Sequence, residues 1–136
     1  PEEVPKFVLR YQSGTVDCLV GSRFADPDYV RRMPTLRVLS NRISSALIRT
    51  VGGLGIEDVQ CGFRLYRLES ILQLKAASEG FEFETEILLE AAAKGFKLDN
   101  VPIRCEYPQG TERSRYRALR DSWRIGKVVW KHYFSG

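Results

Sequence analysis

The chain has 136 residues, enough for one domain. Its 43% hydrophobic and 28% charged content is that of a globular core with a solvated surface, and no run of about 18 apolar residues is present to span a membrane. The net charge of +4 is unevenly spread: six Arg against two Asp over 23–49, five Glu and no base over 79–90, and eight Lys and Arg against three acids over 104–131. Two basic zones flanking an acidic one point to an anionic partner such as phosphate, a membrane surface or nucleic acid.

Pro1-Glu2-Glu3-Val4-Pro5 reads as the first turn of a helix running to about Gln12, with Pro and acids where the helix dipole favours them. Val16 to Val20 is an apolar run with the character of a buried strand, ending at Gly21-Ser22-Arg23. Ala25 to Pro34 has no period and reads as a mobile loop. Thr35 to Val51 has Leu36, Leu39, Ile43 and Leu47 at helical spacing, with Arg37, Asn41 and Ser44 on another face and Arg42, Ser45 and Arg49 on a solvated one. Gly62 to Arg67 reads as a strand and Leu68 to Lys75 as a helix or turn. Phe81 to Glu84, if extended, puts its acids on one side and its aromatics on the other, before a helix from Thr85 to Lys94. Lys97 to Tyr107 suits a strand that Pro102 confines to an edge or a strand start. A last helix begins near Tyr116. The alternation gives an α/β class with about three strands of a mixed sheet packed with helices. So thin a sheet leaves an edge open, which points to a larger fold.

Several side chains carry candidate chemistry. Arg23 follows the C-terminal end of a strand, the end that faces the ligand crevice in open α/β sheets, and a guanidinium there can grip a phosphate. Its alternative is a surface pairing with Asp26 or Asp28. Arg37 and Asn41, one helical turn apart, can cradle an anion or simply face solvent. Asp58, Gln60 and Arg64 surround Gly62 in a hydrogen-bonded loop, with Asp58 orienting Arg64 or a nearby backbone N–H; a structural turn cap is the alternative. Glu84 sits at a helix N-terminus, either as a cap or as a carboxylate facing a reacting centre. Trp123, Trp130 and Tyr133 interleave with Arg124, Lys127 and Lys131 on the last helix. That pattern suits an anionic membrane interface, or aromatics packed on the sheet beside a solvated basic flank. Cys18, Cys61 and Cys105 are far apart, which fits a reduced cytosolic protein rather than a disulfide framework. With His132 the only histidine and no close Cys pair, zinc is not expected, and no nucleic-acid motif is present.

Five segments, in order, resemble the second half of a family 2 glycosyltransferase that makes polyprenyl-phosphate sugars: Asp17-Cys18-Leu19-Val20-Gly21-Ser22-Arg23-Phe24, Pro34 to Asn41, Asp58-Val59-Gln60-Cys61-Gly62-Phe63-Arg64, Gly80 to Glu86, and Val101-Pro102-Ile103. The resemblance implies the acceptor-side half of a GT-A fold. It implies a nucleotide sugar of the GDP-mannose or UDP-glucose type, a polyprenyl phosphate acceptor, and a cytoplasmic protein peripheral to the membrane. It places Arg23, Arg37 and Asn41 at the phosphates, with Gln60 and Arg64 nearby, and Glu84 and Asp58 at the catalytic centre. The family's Asp-x-Asp motif, which binds Mg²⁺ or Mn²⁺, is absent. Residues 1–136 are therefore expected to form one C-terminal, acceptor-side portion that is inactive alone. The nucleotide-binding half and the metal ligands would then lie outside this chain, in cis or in trans. The rival readings are an anion-binding module for RNA or an acidic membrane, and a relative with a saccharide acceptor.

Overall fold

The computed structural model describes residues 2–77, 79, 81–104 and 115–134. The elements run α1 (Val4–Gln12), β1 (Cys18–Ser22), a 3-10 turn (Arg23–Ala25), α2 (Pro27–Arg32), α3 (Thr35–Gly52), β2 (Arg64–Tyr66), α4 (Leu68–Ile71), α5 (Phe81–Ala93), β3 (Leu98–Pro102) and α6 (Arg115–Phe134). The class is α/β, and the sheet is three-stranded and mixed, in the order β2-β1-β3. β1 lies in the centre, antiparallel to β2 and parallel to β3, with Val20 opposite Asn100 and Ser22 opposite Pro102. All five β1 residues are buried, as expected for a short apolar strand covered on both faces. The parallel pairing brings the C-terminal ends of β1 and β3 to one edge, and the chain leaves that edge into the candidate site.

Leu19 and Val20 of β1 share one apolar cluster with Phe7 of α1, Ile48 of α3, Leu88 and Leu89 of α5, and Ile125 and Val129 of α6. α6 packs against both α3 and α5. The Ser40 and Ser122 hydroxyls are hydrogen-bonded, and Tyr133 Oη donates to the Val51 carbonyl. Both pairs step eleven residues in the same direction, so α3 and α6 run parallel. Gly21 is required by a close approach. Its N–H donates to the Phe63 carbonyl at 2.9 Å, and a Cβ there would stand 2.9 Å from Ile103 Cδ1 and 3.1 Å from Cys61 Sγ.

Several expectations change. β1 is shifted along the chain and includes Gly21 and Ser22, because its ladder follows β3. The segment read as a loop holds α2, started by Asp26, whose side chain accepts from the N–H groups of Asp28 and Tyr29. Phe81 to Glu84 is the first turn of α5 and not extended. The alternation of acids and aromatics therefore does not sort them onto two faces. β3 ends at Pro102, and residues 105–107 of the expected strand lie outside the described residues.

The largest change is in α3. Its buried side chains are Ser40, Asn41, Ser44, Ser45 and Ile48, while Leu39, Ile43 and Leu47 are 53%, 57% and 36% exposed. The helix is turned inside out relative to an apolar-inward amphipathic helix. Ser45, read as solvated, is buried. The physical reason lies across from it, in an irregular loop whose polar groups need partners.

Candidate functional site

The loop 53–60 leaves α3 at Gly53, which closes the helix in the left-handed conformation (φ 65°). It carries Asp58, which is fully buried. Asp58 accepts four hydrogen bonds. Arg23 Nε reaches Oδ2 at 2.6 Å and Arg23 Nη2 reaches Oδ1 at 2.8 Å. The Arg23 backbone N–H reaches Oδ2 at 3.2 Å, and Asn41 Nδ2 reaches Oδ1 at 2.6 Å. A buried carboxylate is tolerable only when paired and hydrogen-bonded this fully. Ser45 Oγ donates to Asn41 Oδ1 and accepts from Val59 N–H, both at 3.3 Å, and Gln60 Nε2 is 3.5 Å from Ser44 Oγ. The small polar face of α3 is therefore the wall on which this loop is built.

The Arg23 side chain is 13% exposed. Burial works against its charge, but the hydrogen bonds and charge of Asp58 outweigh burial and raise its pKa. Asp58 engages Nε and one N–H of Nη2, the inner edge of a group with five N–H donors. The remaining edge, with Nη1, is the part able to meet an anion. Arg23 thus pairs with neither Asp26 nor Asp28. Asp26 caps α2, and Asp28 lies 3.5 Å from Arg31. Arg37 is half-buried and lies one turn before Asn41 on α3.

Arg64, a candidate acceptor-binding group, is turned into the protein. Its side chain is 3% exposed. Nε donates to the Cys61 carbonyl, Nη2 to the Val59 carbonyl and Nη1 to the Glu84 carbonyl, at 2.8–2.9 Å. Arg64 therefore pins the 59–61 turn to the first turn of α5, and Asp58 orients Arg23, not Arg64. Glu84 is about one-third exposed, with Oε2 3.7 Å from Arg64 Nη2. That Oε2 is buried with no hydrogen-bond partner among the described residues. Gly62 makes room for the carboxylate: a Cβ there would lie 3.3 Å from Glu84 Oε1. Asp58 has no exposed surface, and its carboxylate fixes Arg23 and Asn41.

Among the described side chains of α6, Ile125 and Val129 are buried, while Trp123 and Trp130 are each 64% exposed. Neither tryptophan is packed on the sheet. Lys127 Nζ lies 3.8 Å above the Trp123 ring, and Trp130 stacks on Phe134 at 4.4 Å. Lys131 is exposed, whereas Arg124 pairs with Glu82 of α5 at 3.4 Å. At about 100° per residue, the outward stripes of α3 and α6 fall on the same side of the seam between the two parallel helices, away from the core. Leu39, Ile43 and Leu47 therefore extend the Trp123, Trp130 and Phe134 face. Helical spacing in the sequence identified that α3 stripe but not the side it faces. The available signal was the compact Ser40-Asn41, Ser44-Ser45 set on the opposite face.

No family model matches the chain, and no solved structure matches it. Among curated proteins it is 31% identical over 106 residues to the polyprenol monophosphomannose synthase of Mycolicibacterium smegmatis, covering 76% of this chain and 40% of that protein. It is 27% identical over 124 residues to the low-salt glycan biosynthesis hexosyltransferase Agl6 of Haloferax volcanii, covering 90% of this chain and 30% of that one. It is 32% identical over 132 residues to the glycosyltransferase AglD of the same organism, covering 96% and 20%. The chain is similar to glycosyltransferases. It spans less than half the length of these glycosyltransferase relatives. No helix among the described residues is long and apolar enough to cross a membrane.

Proposed function

We propose that this chain is the acceptor-side part of an inverting glycosyltransferase that moves a hexose from a nucleotide sugar to a polyprenyl phosphate at a membrane surface. The observation that carries the reading is Arg23, held at the C-terminal edge of the sheet with its inner side fixed on buried Asp58. A pre-oriented guanidinium stabilises an anion without reorganising when the anion arrives. An oxygen of the acceptor phosphate attacks the anomeric carbon and forms the new C–O bond. The bond to the nucleotide diphosphate breaks and its electron pair leaves with the diphosphate. A phosphate acceptor is already ionised, so the reaction asks little of a base, and Glu84 serves better to position the acceptor or sugar than to remove a proton. The outward face of α3 and α6 lies on the bilayer, where Trp123 and Trp130 suit the interface and Lys127 and Lys131 meet anionic headgroups.

Among the described residues no group of three or more His, Cys, Asp or Glu converges to hold a metal ion. A Mg²⁺ or Mn²⁺ of the kind the resemblance implies would take its ligands outside this chain, together with the nucleotide pocket. The chain alone is therefore expected to transfer no sugar.

Vesicle co-sedimentation tests the reading. The chain should bind vesicles containing polyprenyl phosphate more tightly than the same vesicles without it. Arg37→Ala should erase that preference by about tenfold or more, the scale of one charged hydrogen bond. Equal binding to both vesicles, unaffected by the substitution, would refute it.

A further inference from the structure

Loop 53–60 has no regular structure, so its backbone polar groups must be satisfied from elsewhere. Beside Ser45 of α3, which accepts from Val59 N–H, β3 supplies backbone partners and β1 grips a loop side chain. Asn100 of β3 accepts from the Glu57 N–H through Oδ1 at 3.0 Å and donates to the Gly55 carbonyl through Nδ2 at 2.8 Å. Ser22, the last residue of β1, donates to Glu57 Oε2 at 2.8 Å. The next residues along each segment are Arg23 and Asp58, joined by the buried ion pair. The end of β1 and the loop are thus cross-linked twice in succession, Ser22 to Glu57 and Arg23 to Asp58, while β3 holds the same loop from the other side. We infer that Asn100 is a positioning residue for the Arg23–Asp58 pair, with Ser22 and Glu57 as its second tether.

The chemistry of an amide explains the choice of side chain. Asn carries one acceptor and one pair of donors, so it satisfies an N–H and a C=O of irregular backbone together. An Asp in its place can accept from Glu57 but presents only lone pairs to the Gly55 carbonyl. A two-pronged guanidinium–carboxylate pair needs both partners fixed in plane. Arg23 is fixed by the strand it follows. Asp58 has no strand or helix of its own: Asn100 holds the loop just before it, at Gly55 and Glu57, and the Asp58 carbonyl accepts from Cys61 N–H. The consequence for ligand binding rests on the phosphate reading of Arg23 given above.

The test is the Arg23 Nε–H signal in ¹⁵N NMR spectra of the chain. In the wild type this proton should exchange slowly with water. In Asn100→Ala, exchange should be about five-fold faster or more, the factor expected when roughly one hydrogen bond's worth of restraint is lost. Asn100→Asp should fall between the two, since it keeps the acceptor. Arg64 Nε–H, held by the Cys61 carbonyl, should not change. A folded Asn100→Ala with an unaltered Arg23 signal overturns the proposal, because Asn100 would then be only a scaffold residue. Should that variant fail to fold, Ser22→Ala removes the second tether alone, and an unaltered Arg23 signal there overturns it equally. Titration with inorganic phosphate separates the two readings. If phosphate leaves the wild-type Arg23 signal unmoved while Asn100→Ala still shifts it, the phosphate reading fails and the tether stands.

Discussion

Arg23 and Asp58 are 35 residues apart in sequence, and each belongs to a segment whose local chemistry suggested another partner. Asp26 and Asp28 are nearer to Arg23, and Arg64 is nearer to Asp58. Proximity along the chain lost because Asp26 is spent on a helix cap and Arg64 on backbone carbonyls. The motif residues themselves were legible, but their pairing was not, since it depends on β1 and the loop meeting at one edge of the sheet. The pairing makes a quantitative claim. Asp58→Ala leaves a largely buried guanidinium without its counter-charge and should cost about 3–5 kcal/mol. Urea unfolding of Asp58→Ala, Arg23→Met and the double variant checks it. The double variant should be less destabilised than the sum of the two singles. Simple additivity would show that the two groups do not act together.

At the level of elements, α3 shows where periodicity stops being informative. Both of its stripes are regular, one apolar and one of small polar residues, and the repeat identifies a helix without saying which stripe is inside. The polar stripe is buried because Asn41 and Ser45 supply the donors and acceptors that Asp58 and Val59 require. The apolar stripe is then left outward, in line with the exposed aromatics of α6. The α/β class and the order of most elements were legible from alternation and turn residues. The facing of α3 and of the α6 aromatics was not, because it is decided by segments distant in sequence. Substitutions separate the two faces. Leu39→Gln with Ile43→Gln should change stability by no more than about 0.5 kcal/mol, as for ordinary surface positions. The pair should weaken vesicle binding substantially. Ser44→Leu places a larger side chain on the buried face and should cost about 1–3 kcal/mol by overpacking. A reversed ranking in thermal unfolding would mean that α3 buries its leucines after all.

Across the whole molecule, the two ends of the sheet carry two different polar networks. The C-terminal edge holds the Arg23–Asp58 group and the residues proposed to meet phosphate. The opposite end is built on Asp17, just before β1. Asp17 Oδ1 accepts from Ser70 Oγ at 2.6 Å and Oδ2 from Lys97 N–H at 2.8 Å, with Arg67 Nε at 3.9 Å. Its backbone also ties both neighbours, donating to the Lys97 carbonyl and accepting from Arg67 N–H, each at 2.8 Å. Partial burial pushes the Asp17 pKa up, but the Ser70 and Lys97 hydrogen bonds and the charges of Arg67 and Lys97 outweigh it and hold the pKa below its ordinary value. The sign follows from linkage. The unfolded chain takes up the proton near pH 3.9, before the folded one does. The stability contributed by Asp17 is therefore complete above that range and drains away as pH falls through the lower folded value. Asp17→Asn should cost about 1–3 kcal/mol at neutral pH, because an amide N–H₂ meets donors where a carboxylate met them. It should also flatten the acid limb of the stability curve below about pH 4. The Arg23 NMR signal should not move, because this network lies at the far end of β1. Urea midpoints measured between pH 2.5 and 7 decide the matter. An Asp17→Asn variant with an acid limb as steep as the wild type's would mean that acid sensitivity comes from other carboxylates and that the Asp17 network is only packing.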